Sequence, residues 1–454
     1  MPFAVTDPTT GAVVRTYETH DAAELERRTT LAASAYAGWR STPLTERARL
    51  LLRVADLYDE RADELGRIAT LEMGKPITQA RGEARFAGTI LRHYAEHGER
   101  YMKEADPLHS SSVPARVTKE PIGVLLGIMP WNYPHYQVAR FIAPNLMLGN
   151  AVLVKHAPQC PESALAIETL FSDAGAPEGL LQALFADPEQ IVDVIAHPVV
   201  RGVSLTGSER AGSAVASIAG HHMKKSVLEL GGSDAFIVLD DADVAAAAHD
   251  AIGARYANTG QACNSAKRFI VHTAVHDEFL SSFTAAVASL RLGDPADDDT
   301  FLGPMASEAA AATLNAQVSD AVAQGAVLHG GGRVDRPGAW YRPGVLTGVR
   351  PGMRAWHEEL FGPVAVVHEV PDDAAAVDLA NDSPYGLGAI VRCGDSTRAA
   401  ALAARLEVGM VSINGTQPVD AGLPFGGVKR SGYGRELGRW AMDEFANHKV
   451  VIGA

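Results

Sequence analysis

Short apolar runs alternate with stretches of helical spacing from residue 122 onward, and this alternation admits few folds. In the first half the runs are GVLLGIM (123–129), AVLVKHA (151–157) and GVSLTG (202–207), with helical stretches at 163–174 and 208–220. In the second half AFIVLDD (235–241), RFIVH (268–272), VAVVHEV (364–370), GAIVRC (388–393) and GMVSING (409–415) repeat the style. Strand–helix–strand order calls for a parallel sheet with helices on both faces. Two such α/β domains are expected, with a boundary near 229–232.

The first third reads as helix. In 42–73 the apolar Leu50, Val54, Leu57, Leu65 and Ile68 recur close to a 3.6-residue period. Thr42 is placed to cap this helix and Pro43 to open it. A second helix is expected over 83–103. A length of 454 residues suggests about three structural units. The net charge of −14, with no Lys/Arg-rich run, excludes a nucleic-acid-binding surface but not a local anion pocket. Three cysteines exclude a disulfide scaffold and read as free thiols in a reducing compartment. The longest apolar stretches, 122–130 and 142–154, are interrupted and fall short of the ~18 residues a membrane span needs. The start, MPFAVTDPTTGAV, lacks the basic and apolar regions of a signal peptide. A cytoplasmic protein with no membrane partner is expected.

Several positions suggest chemistry. Gly207 and Ser208 lie between an apolar run and a helix. They either cap that helix or, with its free N–H groups, bind an anion. The GxGxxG fingerprint is absent from the chain. Cys263 follows the turn residues Asn258, Gly260 and Gln261 and precedes RFIVH. A loop position near a helix start would free its sulfur to attack; an inert thiol is the alternative. Cys160 and Cys393 have no comparable setting and read as structural. Glu229 in LELGG is a lone carboxylate at an apolar strand end. It is either a general base with a raised pKa or an exposed strand-end side chain. Asn132, between Pro130 and Pro134, is an oxyanion donor or a plain turn residue. No His/Cys/Asp spacing points to a metal.

These positions fall in a longer series: EMGKP (72–76), PWNYP (130–134), GNAVLVK (149–155), TGSERAG (206–212), LELGG (228–232), NTGQAC (258–263), EELFGPV (358–364), NDSPYGLGA (381–389) and PFGGVKRSGYGRE (424–436). In that order they make the chain resemble the aldehyde dehydrogenase superfamily over essentially its whole length. KHAPQCP (155–161), ELGGSDAFIVLDDADV (229–244), CNSAKRFIV (263–271) and SINGTQPVDAGLPFGGVKRSGYGREL (412–437) resemble the shorter, NADP-preferring bacterial succinate-semialdehyde dehydrogenases.

The resemblance implies an aldehyde dehydrogenase-like fold of two Rossmann-like parallel-sheet α/β domains and a small β oligomerisation arm. The NAD(P)-binding domain would comprise 1–103 and 120–229, the catalytic domain 230–430, and the arm 104–119 and 431–454. The implied reaction is NAD(P)+-dependent oxidation of an aldehyde to a carboxylate. Succinate semialdehyde is the expected substrate, with a broad range of aliphatic or aromatic aldehydes as the alternative. Cys263 would attack as thiolate, Asn132 and the Cys263 N–H would hold the oxyanion, and Glu229 would activate the water that hydrolyses the thioester. Trp131 and Asn132 would lie near the nicotinamide and Lys155 near the adenosine ribose or its 2′-phosphate. Gly207 and Ser208 would meet the pyrophosphate, Leu230 the carboxamide, Glu359 the nicotinamide ribose and Phe361 the ring. NAD-selective relatives carry Glu where this chain has Pro158, so NADP is expected, with NAD as a second cofactor and no metal. Arg140 would grip a substrate carboxylate. Tyr136, after His135, and Val419 stand where the branch usually has an aromatic pair and a Ser. The tail 447–454 and the arm near 104–119 imply a homodimer or homotetramer.

Overall fold

The computed structural model describes residues 3–103, 115–416 and 419–452. The apolar runs of the first half build a six-stranded sheet in the order Gly432–Tyr433, Lys225–Glu229, Val200–Thr206, Val124–Met129, Ala151–His156, Leu181–Ala183. All neighbours are parallel except the first pair. Within Val124–Met129 only Ile128 escapes full burial, as a parallel strand covered on both faces requires. The second sheet has seven strands: Val327–Arg333, Tyr341–Thr347, Val364–Val370, Ala266–His272, Asp234–Val238, Gly388–Arg392 and Met410–Ile413. It too is parallel except for its first pair. The chain leaves the first sheet at Glu229 and enters the second at Asp234.

Four sequence expectations need correction. The helix expected over 42–73 is two helices, Leu44–Glu60 and Ala62–Met73, parted at Arg61 (φ −109°, ψ 17°). Both bury the same side, so the apolar period runs through the break without marking it. Pro43 is the N-cap rather than the first helical residue, and no side chain caps that end. The next helix starts earlier than expected and spans Ile77–Lys103. In 431–454, assigned to the arm, Gly432–Tyr433 instead extends the first sheet opposite Leu228 and Glu229. It covers an edge whose N–H and C=O groups need partners. Ala446–Ile452 does form a separate antiparallel ribbon with Ala115–Pro121. Residues 104–114 and 453–454 of the expected arm lie outside the described residues.

Asn150, in the GNAVLVK stretch, ties distant parts of the first sheet together. Its buried Oδ1 accepts from Ile122 N (2.8 Å) and Gly123 N (3.1 Å). Its Nδ2 donates to Asn145 Oδ1 (3.3 Å) and to Phe445 O (3.2 Å). Removing this amide strands two backbone donors away from water, at about 1–3 kcal/mol each. Asn150→Ala is therefore expected to lower the melting temperature by several degrees, read by circular dichroism. An unchanged melting temperature would show that these bonds carry no net stability.

Candidate active site

Cys263 follows a turn of unusual backbone. Asn258 and Thr259 take φ of 53° and 55°, and Gly260 71°. For a β-branched Thr this is costly and persists only where the surroundings enforce it. Asn258 Nδ2 donates to Asn132 O (2.9 Å) and Gln261 O (3.1 Å). Asn132 Nδ2 also donates to Gln261 O (3.0 Å), leaving its second N–H for a ligand. The buried Arg255 reaches Gly260 O (3.3 Å), Ser265 Oγ (2.8 Å), Val364 O (2.9 Å), Leu360 O (2.7 Å) and Gly362 O. It thereby clamps the NTGQAC turn to the EELFGPV turn.

Two cavities meet at Cys263. A cleft of about 270 Å³ is lined by Trp131, Asn132, Gly207, Ser208, Leu230, Glu359 and Phe361. A larger cavity of about 800 Å³ is lined by Tyr136 and Val419, with Phe86, Tyr133, Phe301 and Phe425. Cys263 and Gln137 line both. In the cleft the Thr206 hydroxyl is buried without a partner. Ser208 caps the helix Glu209–His221, accepting from Ala211 N at 3.3 Å, and also faces the cleft. The cap reading of Ser208 is thus observed, and its place on the cleft leaves it free to meet an anion as well. An orphaned hydroxyl at a helix N-terminus suits phosphate oxygens. Trp131 and Phe361 stand edge to face at 5.6 Å and offer aromatic wall, while Glu359 offers a carboxylate to hydroxyls. The donor set fits a dinucleotide. Lys155 and Pro158 lie outside this cleft, at the end of the strand Ala151–His156 and in the turn beyond it.

Glu229 and Arg140 line neither cavity. Glu229 is buried, and its two carboxylate oxygens have no hydrogen-bond partner. Burial pushes it well above the usual carboxylate range; Arg140 opposes that rise and Glu436 adds to it. The expectation that Arg140 faces a substrate carboxylate needs correction. It lies on the fully buried helix Tyr136–Leu148. Its Nε sits 2.6 Å from Glu436 Oε2, and it donates to Tyr136 Oη at 3.1 Å. Its guanidinium lies 4.8 Å from the Tyr136 ring centre and 4.2 Å from that of Phe425. These two rings stand between Arg140 and the cavity they line, so Arg140 backs the wall.

Cys263 is part-open through its cavities but closely surrounded at the sulfur. Burial pushes its thiol up to about 12, with Arg140 and Lys267 pulling it down. Sequence reasoning missed Lys267, Arg255, Gln137 and Glu436. A readable signal existed for Lys267: a charge inside the apolar strand Ala266–His272 must find a partner. Its Nζ lies 2.9 Å from Glu359 Oε1. The glycines of LELGG make this assembly possible. A Cβ on Gly232 would lie 2.5 Å from the Cys263 carbonyl oxygen, and one on Gly231 would collide with the Glu359 carboxylate.

The chain belongs to the aldehyde dehydrogenase family, which matches residues 1–451. It is 52% identical over 451 residues to the NADP(+) succinate-semialdehyde dehydrogenase of Deinococcus radiodurans, covering 99% of this chain and 94% of that one. It is 43% identical over 455 residues to an aldehyde dehydrogenase of Paenarthrobacter nicotinovorans, covering 99% of each. The crystal structure of succinic semialdehyde dehydrogenase from Streptococcus pyogenes in complex with NADP+ superposes with a TM-score of 0.97, at 38% identity and 99% coverage of each chain.

Gly232→Ala is expected to displace the Cys263 segment and lower kcat about 100-fold, since a misplacement near 1 Å costs that much. The melting curve should change little. Activity within about twofold of wild type would show that the close approach is dispensable.

Proposed function

We propose that this protein oxidises an aldehyde to a carboxylate with NADP+, and with NAD+ as a second cofactor. One observation carries the reading: a single thiol, Cys263, stands where a cleft suited to a dinucleotide meets a cavity suited to a small organic substrate. The Cys263 thiolate, its proton lost to solvent, attacks the aldehyde carbon; the S–C bond forms as the C=O π pair moves onto oxygen, giving an oxyanion. The free N–H of Asn132 and the backbone N–H of Cys263 hold that oxyanion. The bound dinucleotide supplies the hydride acceptor. Hydride loss leaves a thioester on Cys263. Glu229, its side chain turned toward Cys263, takes a proton from the water that displaces the thiol. A Cβ at Gly426 would crowd the Glu229 Oε1, at 2.8 Å. Lys155, with no carboxylate at Pro158, supports acceptance of a 2′-phosphate.

The substrate reading is succinate semialdehyde, supported by the names of the relatives in Deinococcus radiodurans and Streptococcus pyogenes. A broader aliphatic or aromatic range is favoured by a different observation. The cavity is walled by Phe86, Tyr133, Tyr136, Phe301 and Phe425, and Glu436 already holds the charge of Arg140. Residues up to 229 would bind the cofactor and those from 230 would carry the nucleophile, following the passage between sheets. A homodimer or homotetramer is supported by the ribbon Ala446–Ile452, whose Val450 and Ile452 are exposed. No described helix is long and apolar enough to cross a membrane. Free Cys160, Cys263 and Cys393 suit the cytoplasm.

Absorbance at 340 nm, with each cofactor and a panel of dicarboxylic, aliphatic and aromatic aldehydes, tests the reading. Turnover is expected with NADP+ and succinate semialdehyde, and none in Cys263→Ala. Full activity in Cys263→Ala, or none with any aldehyde, would overturn it. Higher kcat/KM for hexanal than for succinate semialdehyde would select the broader reading.

A further inference from the structure

Lys267 is 1% exposed, in a place where an unpaired ammonium is strongly disfavoured. It donates to the carbonyl oxygens of Ala262 (2.8 Å) and Cys263 (2.5 Å) and pairs with Glu359 Oε1 at 2.9 Å. That same oxygen accepts the Gly232 N–H at 3.2 Å. A trans peptide points its C=O and N–H in opposite directions. Fixing the Ala262 carbonyl on Lys267 therefore turns the Cys263 N–H away from it. Among the described residues that N–H has no acceptor. A single ammonium thus fixes the backbone of the nucleophile and holds the carboxylate that lines the cleft.

We infer that Lys267 is a positioning residue that couples occupancy of the cleft to the reactivity of Cys263. The inference rests on the cleft being a dinucleotide site. Hydroxyls donating to Glu359 take up part of its negative charge and leave more of the Lys267 charge for the sulfur. The thiolate is then favoured when the cleft is filled and disfavoured when it is empty. The other groups acting on the sulfur are Arg140, Glu229, Tyr133 and Tyr136. None of these is paired with Glu359.

Alkylation of Cys263 by iodoacetamide, followed by mass spectrometry over about pH 6 to 10, reads the thiolate fraction, because the sulfur displaces iodide as the S–C bond forms. In wild type, saturating NADP+ is expected to move the profile to lower pH by about one unit, a roughly tenfold acceleration at neutral pH. Lys267→Met should raise the cofactor-free profile and remove the shift, and Lys267→Arg should retain it. An undiminished shift in Lys267→Met overturns the inference. If that variant does not fold, Glu359→Gln carries the test. It frees Lys267 and should move the cofactor-free profile to lower pH; an unmoved or raised profile overturns the inference. Failure of wild type to bind NADP+, read by tryptophan fluorescence, overturns the cofactor reading and the coupling with it. That result is distinct from binding without a shift.

Discussion

The site depends on backbone approaching backbone at Gly232, where a Cβ would lie 2.5 Å from the Cys263 carbonyl oxygen. A side chain at Gly232 would press on that carbonyl, and one at Gly231 would push the Glu359 carboxylate aside. This is also where the chain changes sheets. Trp131 and Asn132 follow the carboxyl end of Val124–Met129, and Gly207 and Ser208 follow that of Val200–Thr206. Open α/β sheets bind ligands outside the carboxyl ends of their strands. The close approach at Gly232 brings Cys263 to that end of the first sheet.

Around this contact the charges are buried and few. Arg140, Glu229 and Glu436 are all hidden from solvent. Burial raises the pKa of both carboxylates. Arg140, paired with Glu436, pulls both carboxylates back toward the ionised form. The buried Lys267 pairs with the part-exposed Glu359. Cys263 therefore lies between an arginine and a lysine whose charges are largely taken by neighbouring carboxylates. Burial holds its thiol up at about 12, against the pull of both cations.

Much of this was legible in the sequence, for physical reasons. Every run named from the sequence became a strand, most of them because strands buried on both faces must be continuous apolar runs, while Met410–Ile413 is a half-exposed edge strand. The motif residues Trp131, Asn132, Gly207, Ser208, Leu230, Glu359 and Phe361 share one cleft with Cys263. Other features were hidden. The break at Arg61 leaves the apolar period intact, and the edge strand Gly432–Tyr433 is too short to show a pattern. Arg140 illustrates the deeper limit. Its spacing from Asn132 is readable, but its pairing with Glu436 joins residues almost three hundred positions apart. Only the fold decides whether such a cation faces a ligand or another side chain. Lys267 lay within reach, since a lone charge in a buried strand demands an explanation.

The central claim is that substrate carbon becomes bonded to Cys263 and leaves only with help from Glu229. Intact-mass and peptide-mapping spectrometry of Glu229→Gln, mixed with NADP+ and succinate semialdehyde, tests it most directly. One stable succinyl adduct on Cys263, absent without NADP+, is the predicted result. No adduct despite NADPH formation, or an adduct on another residue, would contradict it.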